Sequence, residues 1–203
     1  MFVDVETDGL ITPWLPKGRR IWEASAIRRE VDGSESACTW FVRSSDLQFN
    51  PQALTSNQRT SLDVGGFFQR HPEFGGHSDL DGDVRLVTER ELAEELMTWC
   101  SGTPTMVGAT PSFDASSFEE LLRRKGVLDA SSSPPWRLRL VCVWSLVASR
   151  LGVPAAALTR DIVAVELDLP GVYAAHAAYE DCRWARDVYD RIVSIESPAA
   201  TLP

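Results

Sequence analysis

The chain begins with the stretch MFVDVETDGL, residues 1–10, in which two acidic residues interrupt an otherwise apolar strand pattern. Residues 1–6 are predicted to form a central β-strand. Because side chains at i and i+2 of a strand lie on the same face, Asp4 and Glu6 should project together. Two such carboxylates repel each other and are costly to bury, unless a hard cation such as Mg²⁺ or Mn²⁺ lies between them. The alternative is an edge strand whose acids face water.

The composition predicts a soluble globular protein. The chain has 203 residues, of which 44% are hydrophobic and 24% are charged, and this favours a single domain over residues 1–196 with a short tail over 197–203. The net charge of -9 argues against coating of long duplex nucleic acid, but not against a small contact with phosphate through a metal. The chain has no apolar run of the ~18 residues that a membrane span needs. Its four widely spaced cysteines favour reduced thiols in a cytoplasmic protein.

Further along the chain, strand and helix patterns alternate after an initial antiparallel group. Asp32-Gly33 is a hairpin turn signal between two predicted strands, and Thr88 opens a predicted helix with a capping box. Residues 44–87 are predicted to be an irregular insertion with a short helix from Asn50-Pro51. We therefore expect an α/β fold, with a mixed five-stranded sheet flanked by helices. The strands are predicted at 1–6, 21–29, 37–43, 104–108 and 138–143, and the helices at 88–100, 114–125, 144–151, 155–167 and 177–195.

Two later stretches carry candidate site residues. In VGATPSFDASSFEELL, residues 107–122, Asp114 follows a predicted strand and begins a helix, which is where sites form in open α/β sheets. An ordinary acid that complements the helix dipole is the alternative. In HAAYEDCRWARDVYDRI, residues 176–192, His176 and Asp181 are five positions apart, or about 140° around a helix. A shared site therefore requires His176 to lie in the loop before the helix, and the alternative for His176 is a surface or satisfied histidine.

Taken in order, the three stretches resemble the three motifs of the DEDDh family, the proofreading-type 3′–5′ exonucleases with a ribonuclease H-like fold. The first motif is similar to residues 4–10, the second to residues 108–114 and the third to His176-x-x-x-x-Asp181. Many members carry His-Asn where this chain has Ala109-Thr110. That position usually helps to place the strand or substrate, so the departure bears on efficiency or substrate preference.

The resemblance implies catalysis by two divalent ions, Mg²⁺ or Mn²⁺. Asp4, Glu6 and Asp181 would bind one ion, while Asp4 would also bridge to a second ion that Asp114 supports. The ions would clamp the scissile phosphate and activate a water molecule, and His176 would take its proton. Attack on phosphorus would then release a nucleoside monophosphate from the 3′ end.

The resemblance also implies substrate-binding residues. The backbone at Thr7 and the side chain of Leu10 would hold the terminal sugar and base. Phe113 would stack on a base, and a core role for its ring is equally open. Three arginines are candidate phosphate contacts or ordinary surface residues: Arg19, Arg20 and Arg183.

The expected function is therefore metal-dependent 3′–5′ exonuclease activity on single-stranded or frayed DNA. One alternative is an RNA-directed 3′–5′ exoribonuclease of the same family, similar to oligoribonuclease or ribonuclease T, because only the pocket near the 2′ position distinguishes the sugars. Another is a catalytically inactive nucleic-acid-binding module. A proofreading subunit bound to a polymerase is a third, although a standalone enzyme fits the sequence better.

Overall fold

The computed structural model describes residues 1–8, 20–47, 62, 65–76, 83–171, 173–174 and 176–196. These residues form an α/β fold, in which a six-stranded mixed sheet is flanked by helices. The strands are β1 (Phe2–Thr7), β2 (Ile21–Arg29), β3 (Glu35–Val42), β4 (Asp83–Val87), β5 (Val107–Gly108) and β6 (Val141–Cys142). The helices are α1 (Phe67–Arg70), α2 (Glu89–Trp99), α3 (Pro111–Arg124), α4 (Val143–Leu151), α5 (Arg160–Glu166) and α6 (Ala178–Glu196), with single 3-10 turns at Ser44–Asp46, Pro72–Phe74 and Ala155–Ala157.

The strand order across the sheet is β4-β3-β2-β1-β5-β6. β1 is antiparallel to β2 and parallel to β5, β2 is antiparallel to β3, and the two outer pairs, β3 with β4 and β5 with β6, are parallel. The predicted number of five strands is wrong, because β4 lies within the stretch 44–87 that was expected to be irregular. Its sequence DVRLV is short and half polar, and backbone pairing with β3 makes it the edge strand.

The central strand β1 divides its side chains between two hydrophobic cores. Val3 and Val5 face the first core, which lies under α2 and α3. Phe2 faces the second core, which lies under α4 and α6. Because side chains alternate along a strand, Asp4 and Glu6 share the face of Phe2. The two acids of β1 therefore lie on the side of the sheet that α6 covers.

Local turn and capping signals formed as predicted. The hairpin between β2 and β3 closes with a hydrogen bond from Glu30 N to Ser34 O of 2.9 Å, and Gly33 has the positive φ of 86° that the turn needs. The capping box at the start of α2 is present: the Thr88 side chain accepts from Glu91 N, while the Glu91 carboxylate accepts from Thr88 N. The hairpin turn connects the antiparallel strands β2 and β3, and the capping box stabilises the start of α2, which covers this part of the sheet.

Two of the predicted helices differ from the structure by more than one residue at a boundary. α3 begins at Pro111 rather than at residue 114, because proline is favourable in the first helical turn. The helix predicted over 155–167 is interrupted, since Thr159 has extended backbone and its side chain accepts from Ile162 N as a new N-cap. α6 matches the predicted helix within one residue at each end.

The segment before β4 packs a cluster of aromatic side chains together. Phe67 is fully buried, and its ring centroid lies 5.1 Å from those of Phe68 and Phe74. The short helix predicted from Asn50-Pro51 and the tail over 197–203 lie outside the described residues. Within the described ranges, no helix is both long enough and apolar enough to cross a membrane.

Candidate metal and catalytic site

Three carboxylates converge where α6 crosses β1. Asp4 and Glu6 from β1 and Asp181 from the first turn of α6 each offer an oxygen, and these three oxygens lie within 4.8 Å of one another. The helix can approach the sheet closely because its buried stripe begins with the small residues Ala178 and Cys182, and the Cys182 thiol lies 3.3 Å from the carbonyl oxygen of Ser25 on β2. Asp181, the neighbour of Cys182, is thereby held over β1.

The fourth predicted acid, Asp114, lies beside this group. It occupies the first turn of α3 and is only 2% exposed, and its negative charge raises the pKa of Asp4. A Cβ at Gly108 would lie 2.9 Å from the carbonyl oxygen of Val3 and 3.3 Å from Asp114 Oδ2. The absence of a side chain at Gly108 thus lets the Asp114 carboxylate sit against the backbone of β5, next to β1. The structure brings three of the four predicted acids together and places the fourth next to Asp4.

Sequence reasoning missed a fifth carboxylate, Glu23. It is fully buried on β2, directly opposite Glu6 in the strand register. Its Oε2 accepts hydrogen bonds from Arg70 Nη2 at 2.6 Å and Nε at 3.1 Å, and its Oε1 accepts from the backbone N–H of Ala178 at 3.2 Å. Glu23 thereby joins β2 to α1 and to the first residue of α6. The sequence signal that could have identified Glu23 is its position as an acid within the largely apolar stretch IWEASAI.

Sequence reasoning also missed Arg160, the first residue of α5. Its Nη2 donates a hydrogen bond to Asp181 Oδ1, and its guanidinium carbon lies 4.9 Å from the ring centroid of Trp184. Its positive charge acts on Glu6 and Asp181, and in both cases it lowers the pKa. No local pattern links Arg160 to Asp181, which follows 21 residues later.

The arginines that were candidate phosphate contacts have other partners. Arg20 pairs with the buried Glu89 at 2.7 Å. Arg183 pairs with Glu180 at 2.9 Å. Arg19 lies outside the described residues.

The carboxylates of the site have raised pKa values. For Asp4, burial raises the pKa well above its usual value, and the charges of Asp114 and Asp181 add to the effect. For Glu6, burial and the charge of Glu23 raise the pKa to about 8. Burial also raises the pKa of Asp181, although Arg160 opposes the shift. Ionisation of these three buried carboxylates is therefore unfavourable, and binding of protons or of a cation would lower its free-energy cost.

His176 lies outside the helix, as the spacing argument required. It is an exposed turn residue with a φ of 60°, two positions before α6 begins. This left-handed conformation is uncommon but is enriched for histidine. The charge of His176 lowers the pKa of Asp181, which places the imidazole near the carboxylates and at the solvent side of the site.

The predicted substrate-binding residues have different outcomes. Thr7 is the last residue of β1 and follows a register shift between Glu6 and Thr7. Phe113 is partly buried and packs against the first core, which agrees with the core role that was left open for it. Leu10 lies outside the described residues.

A comparison with protein families and with curated protein sequences gives no match for this chain. The side chains and their geometry are therefore the basis on which a function can be assigned.

Proposed function

We propose that this protein is a metal-dependent 3′–5′ exonuclease of the DEDDh type, which releases nucleoside monophosphates from the 3′ ends of single-stranded or frayed DNA. The observation that carries the proposal is the convergence of Asp4, Glu6 and Asp181, with carboxylate oxygens within 4.8 Å. Acids this close, on a largely buried strand and helix, repel each other strongly unless a cation lies between them.

The donor set fits Mg²⁺ or Mn²⁺. All three ligands are carboxylates, which these hard cations prefer over sulfur or imidazole donors. The charges of Asp114 and Asp181 both raise the pKa of Asp4, so Asp4 would help to hold two ions, one together with Glu6 and Asp181 and the other together with Asp114. When bound, the ions would supply Lewis-acid activation of water and stabilisation of charge on the phosphate.

The remaining groups have roles that follow from their places. His176 is exposed in the turn before α6, and its imidazole would accept the proton of the attacking water. Thr7, the last residue of β1, follows a register shift, and its backbone would contact the terminal sugar. The net charge of -9 agrees with an enzyme that contacts few phosphates at once.

The test is digestion of matched DNA and RNA oligonucleotides, each labelled at the 5′ end and supplied single- and double-stranded, with Mg²⁺ or Mn²⁺. A 5′ label distinguishes shortening from the 3′ end from release of the labelled nucleotide. We expect a ladder of progressively shorter DNA products with the wild-type protein. Greater activity on RNA would assign the exoribonuclease function instead.

The matched variants are Asp4→Asn and Asp83→Asn. Mutation of a residue that only supports a metal ligand typically lowers metal affinity or activity about 10–100-fold. For Asp4→Asn, which removes a proposed ligand itself, we expect nuclease activity to fall at least about a hundredfold. Asp83 is an exposed acid on the edge strand, paired with Arg85, and its variant should keep wild-type activity. Binding of the oligonucleotides without shortening of either nucleic acid in either metal would overturn the proposal in favour of an inactive binding module.

A further inference from the structure

We propose that Arg160 is an exchangeable counter-ion of the carboxylate site: it pairs with Asp181 in the metal-free protein, is displaced by the divalent cation, and then binds the phosphate of the terminal nucleotide. The inference rests on the proposed function and concerns a residue outside the three motifs.

The contacts of Arg160 show why it differs from the other arginine of the site. Arg70 pairs with Glu23, which is not one of the three converging carboxylates. Arg160 instead pairs directly with Asp181, a member of that group, whereas the charge of Arg70 acts on Glu6 and Asp181 without an ion pair to either of these described residues. Of these two guanidinium groups, Arg160 is the one in direct contact with a converging carboxylate.

Electrostatics makes the pairing and metal binding mutually unfavourable. A guanidinium in hydrogen-bond contact with Asp181 would lie within about 5 Å of a dication held by the same carboxylate, where repulsion between charges near a protein surface is several kcal/mol. The repulsion falls if the arginine side chain moves away. Metal binding should therefore release Arg160 from Asp181.

The segment that carries Arg160 is lightly anchored, which allows such a movement. Between Gly152 and Gly171, the buried side chains are those of Val163 and Leu167. The Arg160 side chain itself is 27% exposed and lies against the face of Trp184. The guanidinium can thus leave Asp181 without displacing either of these two buried side chains.

The guanidinium has unused donor capacity in the site. Among the described residues, Arg160 Nη1 is buried and has no hydrogen-bond acceptor. A guanidinium presents paired N–H donors that match two phosphate oxygens. Once Nη2 leaves Asp181, both terminal nitrogens are available to the phosphate that the metal site would hold.

The experiment measures Mn²⁺ binding by titration calorimetry, at the same pH for the wild type and every variant. The variants are Arg160→Gln, Arg160→Lys and the control Arg186→Gln. Arg186 lies on α6 with a similar side-chain exposure of 24% and pairs with Asp187 and Glu35. We expect Arg160→Gln to bind Mn²⁺ about tenfold more tightly, because a repelling charge is removed, and Arg186→Gln to match the wild type.

A second titration measures thymidine 5′-monophosphate with Mn²⁺ at saturation. Arg160→Gln should bind the nucleotide about tenfold more weakly. Arg160→Lys keeps the charge but loses the planar pair of donors, so it should bind Mn²⁺ like the wild type and the nucleotide more weakly.

The outcomes separate this inference from the proposed function. Equal or weaker Mn²⁺ binding by Arg160→Gln, in a protein that still degrades DNA, overturns the exchange. Unchanged nucleotide binding overturns the phosphate role. Absence of Mn²⁺ binding by both the wild type and Arg160→Gln overturns the proposed function, and the inference falls with it.

Discussion

Replacement of Glu6 by glutamine should make the metal-free protein more stable at high pH while it weakens metal binding. The cause is the raised pKa of Glu6, about 8 against an unperturbed 4.5, which comes from burial and from the charge of Glu23 opposite. A carboxyl whose pKa is raised by folding binds protons more readily in the native state. Its contribution to stability therefore falls as the pH rises from about 4.5 to about 8 and changes little above that range.

The size of the effect follows from the same shift. Between pH 6 and pH 9, a pKa of about 8 in place of 4.5 corresponds to a loss of about 3 kcal/mol in the free energy of unfolding at 1.36 kcal/mol per unit. Glu6 is only partly buried, so water relieves part of this cost, and we expect about 2 kcal/mol. For a chain of this length, that corresponds to about 4–8 °C in melting temperature. Glutamine has nearly the same shape and no charge, so the variant should lack this loss.

The assay is thermal unfolding of the wild type, Glu6→Gln and the control Glu94→Gln at pH 6 and pH 9, with a chelator and then with Mn²⁺. Glu94 is exposed on α2 and pairs with Arg90, an arrangement that contributes little to stability. With chelator, the advantage of Glu6→Gln over the wild type should grow by about 4–8 °C from pH 6 to pH 9. With Mn²⁺ at about 100 times its dissociation constant, the wild type should gain about 2.7 kcal/mol at pH 9 and the variant distinctly less. An advantage that stays constant with pH would refute the reasoning.

Three further predictions concern the supports of the site. Glu23→Ala leaves the Arg70 guanidinium without its carboxylate and should cost about 3 kcal/mol in urea-induced unfolding, whereas Glu23→Gln, which keeps an acceptor, should cost less. Gly108→Ala places a Cβ 2.9 Å from the carbonyl oxygen of Val3 and 3.3 Å from Asp114, so it should cost about 1–3 kcal/mol in thermal unfolding and also lower nuclease activity. Asp114→Asn should abolish activity while calorimetry still detects one Mn²⁺ ion, because the three converging carboxylates are untouched; loss of all Mn²⁺ binding would contradict the division of ligands.

Features with a local cause were predictable from the sequence. The alternation of β1 placed Asp4 and Glu6 on one face because strand geometry has a period of two, and the helical angle between His176 and Asp181 placed the histidine outside α6. The capping box at Thr88 could be predicted because both of its residues lie within four positions of the sequence. In each case, backbone geometry alone connects the residues concerned.

Features with a long-range cause were not predictable. β4 is a strand because β3 offers it a free edge, although its own sequence is short and half polar. Arg160 on α5 reaches Asp181 on α6 across 21 residues of sequence. The Thr159 cap that starts α5 also interrupts what reads as one longer helix. Glu23 was visible as an acid in an apolar strand, but its pairing with Arg70 depends on a segment 47 residues away.

Two arginines that the sequence analysis did not identify, Arg70 and Arg160, supply positive charge to the carboxylate site. Five carboxylates lie on neighbouring elements, and burial raises the pKa values of Asp4, Glu6 and Asp181, so a counter-charge lowers the free-energy cost of keeping them ionised. Arg70 and Glu23 form a permanent pair that also fixes the start of α6 through Ala178, so this pair sets the geometry. Arg160 pairs with an acid of the proposed metal site, so the same positive charge that stabilises the carboxylates without a cation should weaken the proposed metal binding. A protein with this arrangement trades some metal affinity for stability in the absence of metal, and Arg160→Gln should therefore lower the melting temperature in chelator while it strengthens Mn²⁺ binding. If the variant instead melts higher in chelator, Arg160 does not stabilise the metal-free site.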